Sequence, residues 1–499
     1  MNTRSQQDTA GGRPLTILAT LAAWRRGWLG IDANVRALAF VQTPAGILAI
    51  HAAFVGALLS SLQLSLAGVA LITLTLAACA LLPLRRLPII AFSGIAYVIL
   101  RPFRTEDQRD FVARLRDATP ELVELPVAAI QIPAAGWFLV LTGLALAAHR
   151  RWRSTLFGRR PVLGQFGVLA ILLAVGLGLD EGTVEHTALW TLITIYTASF
   201  FFLAYAFADQ RGKDQTPALL RLGFVRPYWG GPSIPFKGLT YLKTFDAKTP
   251  EELAATRLKA LKLIVWAVIL AWLHSLASRT FYEVADFPTL NEAVSLTAAG
   301  TPPSLTASWG VVAKNFVLTL LSVAAFWHAL VAVIRMSGYR IPRNMARPLT
   351  ARTIAEFWNR YLFYFKEVLV DFFFYPAFAR WFKAHPRLRI ACATFCAACI
   401  GNLLFSLIAQ AHLVAEHGLV ATLLRFESYA FYAFVLAAAL VASQLRRRKP
   451  RPEDGFWRYE VLPRVGVIGF FCLIQIFADE SGHLGLAERL GFFLHLFGA

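Results

Sequence analysis

Six polar groups interrupt an otherwise apolar stretch, IAEFWNRYLFYFKEVLVDFFFYPAF, at residues 354–378: Glu356, Asn359, Arg360, Lys366, Glu367 and Asp371. Glu356, Arg360, Glu367 and Asp371 step by 4, 7 and 4 residues, which sets them on one stripe of a continuous helix. Charges at that spacing can do two things. They can neutralise one another and hold the helix in place, or they can offer a carboxylate as proton acceptor or ligand contact. In either case an ionisable stripe at membrane depth must face protein or a wet cavity. Glu367 and Asp371 are the candidates for site chemistry. Three of the five cysteines, Cys392, Cys396 and Cys399, fall in ACATFCAAC. Redox or metal chemistry there needs thiolates reachable from water. Inside an apolar span the pattern reads instead as small-residue helix packing, so neither a metal nor a disulfide framework is expected.

The elements that must carry these groups follow from composition. The chain has 499 residues, is 57% hydrophobic and only 16% charged, against about a quarter charged in soluble proteins. Apolar windows recur along nearly its whole length. The expected class is an all-α polytopic membrane protein with about 10–12 transmembrane helices. The spans fall near 44–62, 65–84, 127–148, 162–179, 187–208, 263–280, 308–334, 388–413, 419–444 and 463–478. The run 485–498 reads as a last tilted helix, and 88–100 is short for a span. Residues 209–262 form the largest insertion. They hold a Gly-Pro turn at 230–235 and a helix capped by Thr249, with Pro250, Glu251 and Glu252 in its first turn. The first 28 residues carry a short apolar run followed by Arg25 and Arg26, and read as an interfacial amphipathic segment rather than a cleaved signal.

The net charge is +19, but the cations sit in short clusters between spans, which argues for membrane topology and anionic lipid and against nucleic acid. Acidic loops (Asp180–Glu185, Glu283–Glu292, Glu416, Asp479–Glu480) alternate with basic ones (His149–Arg153, Arg159–Arg160, Arg335–Arg347, Arg446–Arg451). By the positive-inside rule the basic loops are cytoplasmic. The alternation holds only if 354–378, flanked by Arg343–Arg352 and Arg380–Arg389, does not cross. It should be a reentrant or in-plane element on the cytoplasmic side. No inverted repeat of the transporter kind is evident.

Several stretches, in order, resemble the membrane-bound O-acyltransferases (MBOAT), especially the bacterial branch acting on cell-surface polymers. They are ALWTLITIYTASFFFLAYAFADQRG at 188–212, YWGGPSIPFKGL at 228–239, SGYRIPRNMARPLTARTIAEFWNRYLFYFKEVLVDFFFYPAF at 337–378, and the closing VGVIGFFCLIQIFADESGHLGLAERLGFFLHLF. The resemblance covers about residues 185–499. It implies an N-terminal segment (1–40), weakly matching membrane helices (41–180) and an MBOAT-like core (181–499). It also implies transfer of an acyl group from a cytoplasmic thioester, acyl-CoA or an acyl-carrier protein, to a hydroxyl of a glycan, lipid or secreted metabolite. No bound cofactor is expected. The implied partners are membrane lipids, an acyl-carrier protein or a surface-polymer export protein, and the implied location is a bacterial inner membrane. The alternative is the same fold kept as a non-catalytic scaffold that holds a lipid or partner.

The family's general base is a His near mid-membrane, and this chain departs from the pattern there. Tyr361-Leu362-Phe363-Tyr364-Phe365 replaces the Trp-His and Ser-Leu-Ser that follow the family's Trp-x-Arg, and Asn402 or Leu404 stands where the His falls. An Asn cannot take up a proton at neutral pH. His328, at the position of a family Asp, His412 and His417 are the candidate replacements, each with packing as the alternative. Asn402 itself reads as an interhelical hydrogen-bonding residue or a remnant of the polar centre.

Overall fold

The computed structural model describes residues 27–61, 65–103, 105–151, 155–210, 216–229, 234–446, 453, 455–480 and 482–499. Most of the expected N-terminal segment, the heart of the Gly-Pro turn (230–233) and most of the basic run after Arg446 lie outside them. Among the described residues the structure is helical without strands, as the sequence leads one to expect. One isolated bridge joins Asp246 to Tyr339.

Nine of these helices are long and apolar enough to cross a bilayer, and Leu66–Leu81 and Pro161–Leu177 are shorter apolar ones. The chain is an all-α multi-pass membrane protein. In chain order, the helices used below are α1 (Pro161–Leu177), α2 (Val184–Asp209), α3 (Pro250–Arg279), α4 (Leu305–Met336), α5 (Ile354–Tyr361), α6 (Phe363–Leu369), α7 (Tyr375–Arg380), α8 (Pro386–Phe395), α9 (Asn402–Ala409), α10 (Leu413–Arg425), α11 (Glu427–Leu445), α12 (Leu462–Ile474) and α13 (Leu486–His495). Residues 83–100, short by sequence alone, gain length from the 3-10 turn at Pro83–Arg85 and qualify as a span. The expected span 419–444 starts late: α10 is kinked at Gly418, and the spanning helix begins at Glu427.

The Thr249 cap is present. Its hydroxyl accepts from the Glu252 amide, and Glu252 in turn accepts from the Lys248 amide. The capped helix does not stop at the membrane surface but runs on into the span, giving the 30 residues of α3. Helices α3 and α4 form the most extensive helix pair. At one end of the pair Arg340 meets Glu252 at 2.8 Å. At the other Lys314 Nζ donates to the Pro288 carbonyl at 2.5 Å. The first end carries basic segments. The second gathers the acidic ones, where Asp479 pairs with Arg489 and Arg489 reaches Asn291.

Residues 354–378 do not form one continuous helix, so the expected single stripe is corrected. The chain breaks at Leu362 (φ −131°, ψ 74°). The break has a supplier of hydrogen bonds. Asn344 accepts from the Phe363 amide with its carbonyl (2.9 Å) and from the Tyr364 amide with its side chain (2.8 Å), and the Ala346 amide donates to the Arg360 carbonyl. Orphaned helix ends must find such partners away from water. Glu356 and Arg360 therefore pair with each other on α5, while Glu367 and Asp371 belong to the next helical run. That run widens into a π-helix at Val370–Phe374 and packs against a second π-helix at Cys396–Gly401. Gly401 permits the approach: a Cβ there would meet the Phe373 ring at 2.7 Å.

Candidate functional site

The deeply buried helix α2 ends with Tyr205 and Asp209 at the basic end of the molecule. Asp209 accepts the Thr240 amide at 2.9 Å and thereby fixes the turn at 236–240. Gly238 is required in that turn because a Cβ would run into the Asp209 carboxylate. The preceding residue, Lys237, is held at φ 60°, a conformation that non-glycine residues seldom adopt. Its Nζ lies 2.5 Å from Glu367 and 3.2 Å from Asp371. Glu367 also meets Lys366 at 2.6 Å, and the Tyr205 hydroxyl donates to Asp371 at 2.7 Å. Lys366 thus pairs with its neighbour Glu367, and Asp371 with the distant Lys237.

Part of this network, Tyr205, Lys237 and Asp371, reaches a cavity of about 750 Å³ and forms its more buried side. Tyr205, Asp209, Lys237 and Asp371 line it, with Phe166, Phe372, Phe373 and Leu404 as apolar wall. Arg159, Arg160 and Arg380 stand at its rim, all three exposed. Of the charges between 354 and 378, Asp371 borders this hollow, Glu367 is held by Lys237 and Lys366, and Glu356 and Arg360 pair with each other. Burial works against the Lys237 ammonium, but the hydrogen bonds and charges of Glu367 and Asp371 outweigh it and raise its pKa. Burial likewise opposes the Glu367 carboxylate, and the two lysines reverse that and lower its pKa. Both groups are held charged.

Asn402 does not line the cavity. On α9, Leu404 faces the cavity while Asn402 and Ser406, four residues apart, share a different face. Asn402 is buried and accepts from the Tyr429 hydroxyl at 2.9 Å, and its Nδ2 has no partner. Ser406 donates to Glu480 at 2.9 Å. Glu480 is pushed above the usual carboxylate range, chiefly by burial, with the Ser406 and Tyr429 hydroxyls partly offsetting it. This is a second polar centre, separated from the cavity by the thickness of α9.

The histidines stand elsewhere. His328 Nδ1 lies 2.6 Å from the Ala324 carbonyl on its own helix, and the ring does not line the cavity. His412 is buried against Phe111, with ring centroids 5.5 Å apart. Its Nδ1 is unpartnered, and burial lowers its pKa. His417 is exposed. Among the expected site residues, only Glu367 and Asp371 are brought together. Sequence reading missed Tyr205, Lys237, Asp209 and Glu480. A cation beside Gly238 in the resembling YWGGPSIPFKGL stretch was the one available signal for Lys237. Among the described residues no group of three His, Cys, Asp or Glu side chains could hold a metal ion, and the cysteines are free thiols.

The chain matches no protein-family model, and no curated protein is significantly similar to it.

Proposed function

We propose that the chain is a membrane-embedded O-acyltransferase of MBOAT type, working from the cytoplasmic face of a bacterial inner membrane. One observation carries this reading: an apolar-walled cavity with three arginines at its mouth and a Tyr205–Asp371–Lys237 network at its floor. A phosphate-bearing acyl thioester fits that order of chemistry. Its phosphates meet Arg159, Arg160 and Arg380, and its acyl chain lies along Phe372, Phe373 and Leu404. The acceptor hydroxyl attacks the thioester carbonyl, forming the C–O bond as the C–S bond breaks. Asp371 takes the hydroxyl proton and returns it to the leaving thiolate. The Lys237 ammonium offers charge to the developing oxyanion. The acceptor is a hydroxyl on a glycan, lipid or secreted metabolite.

The test is transfer from a labelled acyl thioester by membranes holding wild type, Asp371→Asn, His328→Ala or His412→Ala. Asp371→Asn should lose roughly 10²–10⁴-fold, the usual worth of a positioned acid–base group. Both histidine variants should stay within about threefold, on the scale of ordinary surface or packing changes. Full activity in Asp371→Asn would refute the role given to it.

A second reading, a non-catalytic scaffold of the same fold, draws support from the engagement of Asp371 by both Lys237 and Tyr205. It requires no turnover with any thioester, together with stable co-purification of a lipid or partner.

A further inference from the structure

A second hollow, of about 650 Å³, lies at the basic end between α11, α12 and the start of α5. It shares no lining residue with the first. Arg446 and Arg458 line it, and both are exposed. The third arginine in its lining, Arg352, is already engaged: it pairs with Glu460 and donates to the Tyr459 hydroxyl at 2.8 Å. Glu460 is further taken by Arg464. Among the described residues, Arg446 and Arg458 have no ion pair and no carboxylate lines the hollow.

The two hydroxyls in the lining are arranged as donors. Ser443 Oγ accepts from the Ala355 amide at 3.3 Å and Thr353 Oγ1 from the Glu356 amide at 3.1 Å, so each O–H is left to donate. The rest of the lining is apolar, a slot formed by Ala439 and Ala442 of α11 and by Leu462, Gly466 and Val467 of α12. Beside the slot Trp457, Leu462 and Val465 are 67%, 59% and 60% exposed, an apolar surface suited to lipid with an aromatic ring at its edge. Cations and hydroxyls above an apolar slot that opens onto such a surface match one occupant better than a free anion.

We propose that this groove binds an anionic phospholipid, its phosphodiester on Arg446 and Arg458 and an acyl chain in the slot between Ala442 and Gly466. The site does not depend on acyl transfer in the other cavity. It does sit on the Thr353 and Ile354 end of α5, so an occupied groove bears on the helix that leads into the Asp371 segment.

The experiment uses purified full-length protein in nanodiscs of phosphatidylcholine with or without phosphatidylglycerol of the same chains. Lipid retention is read by native mass spectrometry and stability by thermal unfolding. Two variants test the two halves of the site. Arg446→Gln/Arg458→Gln removes exposed cations that hold no ion pair among the described residues. Gly466→Leu fills the slot, because a Cβ at 466 meets no atom within 4 Å. Wild type should retain phosphatidylglycerol over phosphatidylcholine by roughly tenfold, and each variant should lose most of that preference while unfolding normally in pure phosphatidylcholine. Equal retention of the two lipids by wild type would overturn the proposal, as would an undiminished preference in both variants. Stabilisation by millimolar inorganic phosphate alone, equal to that by the lipid, would also overturn it and leave a free-anion site.

Discussion

Lys237 is the residue on which the candidate site turns. It occupies a strained backbone conformation and places one ammonium between two carboxylates. Removing this half-buried cation leaves Asp371 without an ion-pair partner and Glu367 with Lys366 alone, so Lys237→Met should cost about 1–2 kcal/mol of stability, read as a fall in the unfolding temperature in detergent. The pH dependence has a definite sign. Glu367 has its pKa lowered from 4.5 in the folded chain, so its stabilising contribution is complete above that value and is lost as pH falls through the lowered one. The advantage of wild type over Glu367→Gln should therefore shrink on acidification below pH 4.5 and stay constant above it. Glu480 behaves oppositely. Its pKa is raised, so as pH climbs through 4.5 the unfolded chain releases its proton first and the folded state loses ground until the raised pKa is passed. Glu480→Gln, which keeps the hydrogen-bonding shape, should gain on wild type over that window by about 1 kcal/mol. A gain of the same size at pH 4 would contradict a titrating Glu480. None of these partners could be read from sequence, because Tyr205, Lys237 and Glu480 meet their neighbours across more than 70 intervening residues.

At the scale of elements, what the sequence disclosed depended on whether the signal was local. The Thr249 cap with Pro250 behind it was legible because all its partners lie within four residues. The break at Leu362 was not, since no Pro or Gly marks it and its hydrogen bonds come from Asn344, some twenty residues upstream. The 4, 7, 4 spacing was a true pattern read over a helix that does not run through. Asn344→Ala should strip the Tyr364 amide of its acceptor. We expect a loss of about 1–2 kcal/mol and faster hydrogen exchange at Tyr364 and its neighbours. Unchanged exchange would show that the break is held by something else. The π-helical pair makes a separate demand. Gly401→Leu pushes against Phe373 and Leu369, and should cost about 2–3 kcal/mol by overpacking.

For the molecule as a whole, the class was legible because bilayer spanning writes itself into composition: long apolar helices leave few alternatives. Span ends were less legible, since the Gly418 kink in α10 and the continuation of α3 are decided by packing and not by hydropathy. The separation of basic from acidic segments at the two ends of the α3–α4 pair supports opposite exposures for them. In a cysteine-free background Thr301→Cys should react with an impermeant thiol reagent only from outside the cell, and His385→Cys only after permeabilisation. Both positions are exposed. Labelling of both from the same side would overturn the assigned topology.

Acyl transfer requires that an acyl thioester enter the 750 Å³ cavity. An acyl thioester carrying a photoreactive group at the end of its chain, irradiated with the purified protein, measures this directly. Crosslinks are expected on the peptides holding Phe166, Phe372, Phe373 and Leu404, suppressed by unlabelled thioester and by Asp371→Arg. Crosslinks confined to outward-facing residues such as Trp272, indifferent to competitor, would contradict it.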